Sequence, residues 1–257
     1  MGSITCSDYS TRPVSVLLIC MDKRGKLYLL PNRLGEHEIN KAFTPWQAEI
    51  VESLSQFLVE NVKPARQLIR ALCAKKDINA CTFFEMHELI SDSVASSQII
   101  QSMYLGNDLG LISDAGCPGV ADPGAAFVSI AHEAGIEVVP LPGPSSILLT
   151  LMASGLNGQH FTFHGYLPKE ASQRRAVLHS MATGIQRNAQ THLFIETPYR
   201  AQHMFDDILL TMPATLKLCL GVDLLTSLQL IDTRTIQNWK NQNISLNKRQ
   251  VVFAIGK

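Results

Sequence analysis

The chain has 257 residues, 46% of them hydrophobic, and its 22 Lys plus Arg balance its 22 Asp plus Glu. That length suffices for two compact domains or one large one, and that apolar content supplies a core, which excludes a disordered chain. Zero formal charge excludes a global electrostatic attraction for a polyanion.

From the N-terminus, residues 1–20 read as an extension, with an extra edge strand at Val14–Ile19 as an equal alternative. The apolar run Val14–Met21 is too short to span a bilayer and lacks a basic leader, so a cytoplasmic protein without a membrane segment is expected. Six cysteines, Cys6, Cys20, Cys73, Cys81, Cys117 and Cys219, form no CxxC pair and no Cys/His cluster at zinc spacing. This pattern predicts a reducing compartment and no structural metal.

Strand-length apolar runs follow at Leu27–Leu30, Phe57–Val59, Thr82–Glu85, Leu109–Ser113 and Ile136–Val139. Helix-length segments separate most of them, a pattern that predicts βαβ units and a mainly parallel sheet. Pro45–Gln56 and Pro64–Cys73 read as helices opened by proline. A third helix opens at Asp122-Pro123, where the Asp can cap free N–H groups, and stops at Gly135. After the Pro/Gly-rich segment Pro140–Ser146, strands are predicted at Phe161–His164, Leu193–Glu196, Leu216–Val222, Leu228–Ile231 and Val251–Ile255. Helices at Lys169–Met181, Tyr199–Leu210 and Thr235–Gln242 would cover this second, mixed sheet. The expected organisation is an α/β chain with an extension (1–20), an N-terminal α/β domain (21–142) and a C-terminal α/β domain (143–257).

Ligands of open parallel sheets bind beyond the carboxyl ends of the strands. Three loops rich in small residues stand there: Pro31-Asn-Arg-Leu-Gly-Glu36, Ser113-Asp-Ala-Gly-Cys-Pro-Gly119 continued by Val120-Ala-Asp-Pro-Gly124, and Pro140-Leu-Pro-Gly-Pro-Ser-Ser146. None is a GxGxxG or GxxxxGK[ST] phosphate cradle, which argues against dinucleotides and nucleoside triphosphates.

Residues 113–124 and 139–146, together with Gly165-Tyr-Leu-Pro168 and Arg174-Arg175, closely resemble the tetrapyrrole-methylase superfamily. Within it they are most similar to the branch that methylates small-subunit ribosomal RNA on a cytidine 2'-oxygen. Leu193–Arg200 and Tyr28–Gly35 agree with that branch. The resemblance implies a two-domain fold, a homodimer, and S-adenosylmethionine (SAM) held between the domains. Pro31, Leu34, Asp114, Ala115, Gly116, Cys117, Pro118, Pro142, Gly143, Pro144, Ser145, Ser146, Glu196, Thr197, Pro198 and Tyr199 would form the cofactor pocket. Asp114 also reads as a turn carboxylate.

The departures concern the substrate. The branch's Glu-Asp-Thr-Arg is here Glu60-Asn-Val-Lys-Pro-Ala-Arg66, its Arg-Glu-Leu-Thr-Lys is Val222-Asp-Leu-Leu-Thr-Ser227, and Cys117 replaces its usual Thr. Methyl transfer depends mainly on positioning, and a hydroxyl acceptor also needs a base. Glu36, Glu60 and Glu196, each near a strand's carboxyl end, are the candidate catalytic residues. Arg33, Arg66 and Arg200 are the candidate contacts to an anionic substrate, and Lys169, Arg174 and Arg175 form a second basic group. The eight histidines are spread singly and receive no catalytic role. Three functions are compatible with this pattern: an RNA (rRNA) methyltransferase, a methylase of a tetrapyrrole or other small molecule, and a SAM-binding protein without transferase activity.

Overall fold

The computed structural model describes residues 24–87 and 93–257. The expected extension at 1–20 and the alternative strand at Val14–Ile19 lie outside the described residues. Two five-stranded sheets organise the rest. The first contains β1 (Leu27–Leu30), β2 (Gln56–Val59), β3 (Thr82–Glu85), β4 (Leu109–Ile112) and β5 (Val138–Pro140), in the order β3-β2-β4-β1-β5. All of its pairings are parallel, with Leu27 opposite Leu109 and Gln56 opposite Leu109.

A parallel sheet needs helices on both faces, and period-2 alternation decides which side chain goes where. Phe57, Val59, Leu30 and Ile112 pack with Val51 of α1 (Pro45–Ser53) and with Ala65, Leu68 and Ile69 of α2 (Val62–Leu72). Leu58, Leu27, Leu109 and Leu111 pack on the other face, against Ile99 and Met103 of α3 (Ser93–Tyr104) and Phe127 and Ala131 of α4 (Gly124–Glu133). Each large side chain buried in this way contributes about 1.5–3 kcal/mol. Helix α1 starts as its sequence demands, with Thr44 and Gln47 forming a reciprocal capping box. Helix α4 starts one residue later than expected, because Pro123 is its N-cap. Asp122 accepts the Gly124 N–H at 2.7 Å and also the Gly119 N–H at 2.8 Å, so it ties the preceding loop as well as the helix.

The second sheet is mixed: β6 (Phe161–Tyr166), β7 (Thr191–Glu196), β8 (Lys217–Val222), β9 (Leu230–Thr235) and β10 (Val251–Gly256) run in the order β6-β7-β10-β8-β9. Only β6 and β7 pair in parallel. Helix α5 (Ser146–Ser154) covers one face through Leu151, which meets Leu193, Cys219, Val252 and Ala254. Helices α6 (Ala171–Asn188), α7 (Ala201–Thr211) and α8 (Ile236–Trp239) cover the other, around Phe194, Phe253 and Trp239. Helix α5 is not among the expected elements, because its N-cap Ser145 follows closely spaced prolines. The expected strand Leu228–Ile231 lies further on, at Leu230–Thr235, where six residues pair with β8.

Two polar clusters depart from the sequence reading. Arg174 is buried, and both it and Arg175 bind Asp207, so neither is a free surface cation. Arg174 also donates to the carbonyls of Pro168 and Lys169, at 3.2 and 2.7 Å, which fixes the loop after β6. The histidines are not all single: His164 and His192 stack, with Nε2 and Nδ1 2.8 Å apart. Burial, followed by the charges of His164 and His160, pushes the His192 pKa down to about 4. No described helix is long and apolar enough to cross a membrane.

Removing one member of a buried ion pair strands the other, at a cost of about 3–5 kcal/mol. Asp207→Ala is therefore expected to lower unfolding free energy by roughly 3 kcal/mol in urea titrations. A midpoint equal to wild type would show that the pair does not hold α6 to α7.

Candidate functional site

The loops that follow β1, β4 and β5 converge because their strands are parallel neighbours. Asn32 and Gly116 form an isolated antiparallel bridge, with N–H···O distances of 2.8 and 3.1 Å, and Asn32 Nδ2 donates to the Ser113 carbonyl at 2.9 Å. Gly116 has φ +72°, a conformation that glycine adopts without the Cβ clash other residues suffer. The third loop is pinned from outside, since Gln47 Nε2 donates to the Pro142 carbonyl at 2.7 Å. Gly143 lies against the Pro31 ring, so closely that an added Cβ would sit 2.4 Å from Pro31 Cβ.

Between this rim and the second sheet is a cavity of about 300 Å³, in the range of small-molecule sites. The first sheet contributes Leu34, Glu60, Asp114, Ala115, Gly116, Cys117, Val120, Ala121 and Asp122. The N-terminal end of α5 adds Ser145, Ser146 and Ile147. Tyr166, the β7 end Ile195–Pro198, Gly221, Leu224 and Gln250–Val252 close it from the second sheet.

Among the described residues, four carboxylates and no Lys, Arg or His line this cavity. Glu60 Oε2 accepts the Asp114 N–H at 3.0 Å, and Asn61 Nδ2 donates to Asp114 Oδ2 at 2.5 Å. Burial raises the Glu60 pKa, the Asp114 N–H opposes that, and the charges of Asp114 and Asp122 raise it again. The Asp122 pKa is raised by burial against the pull of the Gly119 and Gly124 N–H groups. Burial, then the charge of Asp122, raises the Cys117 thiol. Asp114 Oδ1 and Asp122 Oδ2 are buried and have no hydrogen-bond partner among the described residues. Such oxygens carry a large desolvation cost unless a donor or cation meets them.

Eleven of the residues expected from the sequence therefore line one cavity: Leu34, Glu60, Asp114 to Cys117, Ser145, Ser146 and Glu196 to Pro198. Pro31, Pro118, Pro142, Gly143 and Pro144 do not line it; Pro118 and Pro144 are buried in the loops behind. Tyr199 is 79% exposed and Glu36 is exposed, and neither is part of the wall. Arg33, Arg66 and Arg200 are likewise outside it. Arg200 instead clamps Glu196, donating from Nε and Nη2 at 2.9 and 2.6 Å, and the Thr197 N–H adds a third donor to the same carboxylate. Glu196 is thus a tethered structural anion, whereas Glu60 has one oxygen without a hydrogen bond among the described residues. The sequence reading missed Asp122 as a wall residue because a carboxylate before a proline reads as a helix cap. Tyr166 had a signal in its Gly-Tyr-Leu-Pro motif. Gly221 and Gln250–Val252 had none, since only the antiparallel pairing of β8 with β10 brings them to the cleft.

No family model matches the chain. In sequence it is similar to the ribosomal RNA small subunit methyltransferase I of Xylella fastidiosa, at 31% identity over 73% of this chain and 64% of that protein. The protein of the same name from Halalkalibacterium halodurans is 30% identical over 74% and 62%, and that of Escherichia coli O157:H7 is 26% identical over 91% and 78%. The first two matches thus span less than two thirds of the relatives' own length. In structure it resembles the uroporphyrin-III-C-methyltransferase of Thermus thermophilus, with a TM-score of 0.55 at 16% identity over 91% of this chain and 95% of that one. The methyltransferase CobJ gives a TM-score of 0.59 at 16% identity over 91% and 94%. The resemblance read from residues 113–124 and 139–146 is borne out, and so is the α/β fold with one parallel and one mixed sheet.

Gly143→Ala is expected to force the Pro31 loop away and cost about 1–3 kcal/mol, as overpacking does. A urea midpoint unchanged from wild type would show that the two loops are not in this contact.

Proposed function

With ribosomal RNA small subunit methyltransferase I proteins as its sequence relatives and the tetrapyrrole-methylase fold as its architecture, we propose that this chain is a SAM-dependent methyltransferase acting on ribosomal RNA. The observation that carries the reading is the acidic cavity, with four carboxylates on its wall and, among the described residues, no basic residue and two buried oxygens without a partner. It suits a ligand that brings positive charge and hydroxyl donors, and it disfavours a nucleoside triphosphate. SAM has both a sulfonium and an ammonium group, and when bound it supplies an activated methyl group. Asp114 and Asp122 would receive its donors, and the backbone of Ala115–Cys117 and Ser145–Ser146 would hold its flat ring system. The fit rests on the unpartnered oxygens and on Gly116, whose φ of +72° sets the course of the loop along the cavity wall.

The residues of this chain then act by position and proton transfer. Glu60 is the general base for a hydroxyl acceptor, since its half-buried carboxylate has a raised pKa and sits at the cavity wall. Glu196 orients the β7 loop through Arg200 and does not move a proton. We further assign two domains, 21–142 and 143–257, supported by the division of the sheets between Pro140 and Phe161. A ribosomal RNA substrate supports the cytoplasmic location expected from the sequence. A homodimer is supported by Leu148 and Met152, one helical turn apart on α5 and 51% and 79% exposed.

Labelled methyl from SAM, offered to small ribosomal subunits and RNA from cells lacking this protein, is expected to enter RNA with wild type and not with Gly116→Trp, which puts a bulky side chain at a strained position of the cavity wall. Transfer to a tetrapyrrole with none to RNA would replace the substrate assignment, and binding without any transfer would leave only a SAM-binding protein. Light scattering is expected to give twice the chain mass for wild type and the single mass for Leu148→Asp/Met152→Asp. A wild-type monomer would remove the dimer.

A further inference from the structure

Zero net charge conceals a segregated distribution. Lys63, Arg66, Arg70, Lys75 and Lys76 fall within 14 consecutive positions that hold no acidic residue. Three of them lie on α2, where Ala65, Leu68 and Ile69 are buried against the first sheet while Lys63, Arg66 and Arg70 are exposed. At about 100° per residue those three cations share an arc of roughly 60°, forming one stripe opposite the apolar face. Among the described residues none of the three forms a salt bridge. The Arg66 guanidinium lies 5.1 Å from the centre of the Phe83 ring, on edge strand β3.

The stripe leads to the cavity. Helix α2 begins two residues after Glu60, and its N-cap Asn61 is bonded to Asp114, so the end of the helix near Lys63 is fixed to the acidic wall. The two charge fields make opposite demands on a polyanion. Phosphates are attracted to the helix and repelled from the carboxylates, whereas an uncharged ribose and base can enter beside them.

We infer that the Lys63, Arg66 and Arg70 stripe of α2 tracks the phosphate backbone of single-stranded RNA and leads one nucleotide over the N-terminal end of the helix into the cavity. This rests on the RNA-methyltransferase reading above and gives the substrate a path that reading did not contain. Guanidinium groups suit phosphate oxygens, and the Phe83 ring, itself stacked on Phe57, holds the Arg66 guanidinium in place. A nucleotide inside a duplex cannot enter a cavity without leaving its stack, which is why the strand is single.

The test is binding of a labelled single-stranded RNA oligonucleotide to the full chain over a salt series, comparing wild type with Lys63→Gln/Arg66→Gln/Arg70→Gln. Each phosphate contact on a single strand contributes about 0.7 to the slope of log affinity against log salt. The triple variant is expected to lose about 2 in slope and at least tenfold in affinity at low salt, with SAM binding and thermal midpoint unchanged. A charge-matched control, Arg187→Gln/Lys217→Gln/Lys240→Gln, changes exposed cations elsewhere and should keep the wild-type slope. Single Lys63→Gln and Arg70→Gln variants, each expected to lose about 0.7, give the same reading should the triple fail to fold. Wild-type slope and affinity in the α2 variants, or equal losses in the control, would overturn the inference. If wild type methylates RNA while the α2 variants behave normally, only this path fails. If wild type binds and methylates neither free RNA nor small ribosomal subunits, the RNA reading fails with it.

Discussion

Everything at the cleft depends on one backbone junction, the bridge between Asn32 and Gly116. Parallel pairing of β1 with β4 brings the two loops to the same edge, and the two exchanged hydrogen bonds then lock them together. The Asn32 side chain adds a third bond to Ser113, so the loop after β4 is held from both ends. Gly116 permits this because its φ of +72° lies where an L side chain is strained. From that junction the rest follows: Asp114 is presented to Glu60, Cys117 meets the Pro144 carbonyl, and the third loop is seated by Gln47.

Charge is placed in three ways, each by a different degree of compensation. Arg174, Arg175 and Asp207 form a compensated cluster that joins two helices, and Arg200 with Glu196 does the same for the β7 loop. Burial there is tolerated because each carboxylate finds its cation close by. Glu60, Asp114 and Asp122 line the cavity without one; burial raises the pKa of Glu60 and Asp122, and Asp114 and Asp122 keep oxygens ready for a ligand. The α2 cations are uncompensated in solvent, where the cost of remaining so is small.

This distribution also explains why the arginines of the motif loops misled the sequence reading. Arg200 and Arg174 are next to motif residues, and in sequence each looks available to a substrate. In the fold each is spent on a carboxylate more than three positions away in the chain, Glu196 for one and Asp207 for the other. Three cations that do remain available share one face of an amphipathic helix, within a stretch of 14 residues that holds no acidic one.

The sequence by itself determined the alternation of strands and helices, the parallel first sheet and the loops at its carboxyl edge. Periodicity and turn chemistry are local, and Leu27–Leu30, Phe57–Val59 and Gly116 carry them in their own neighbourhoods. It also determined most of the first-sheet wall, because residues 113–117 follow one strand directly. Tertiary structure alone decided what the charged groups do. Whether Glu60 or Glu196 is free depends on Asp114 and Arg200 in space, and whether Asp122 is a cap or a wall depends on the sheet opposite. Gly221 and Gln250–Val252 entered the cavity only through antiparallel pairing in the second sheet, since hydrogen bonds between distant segments leave no mark in either segment alone.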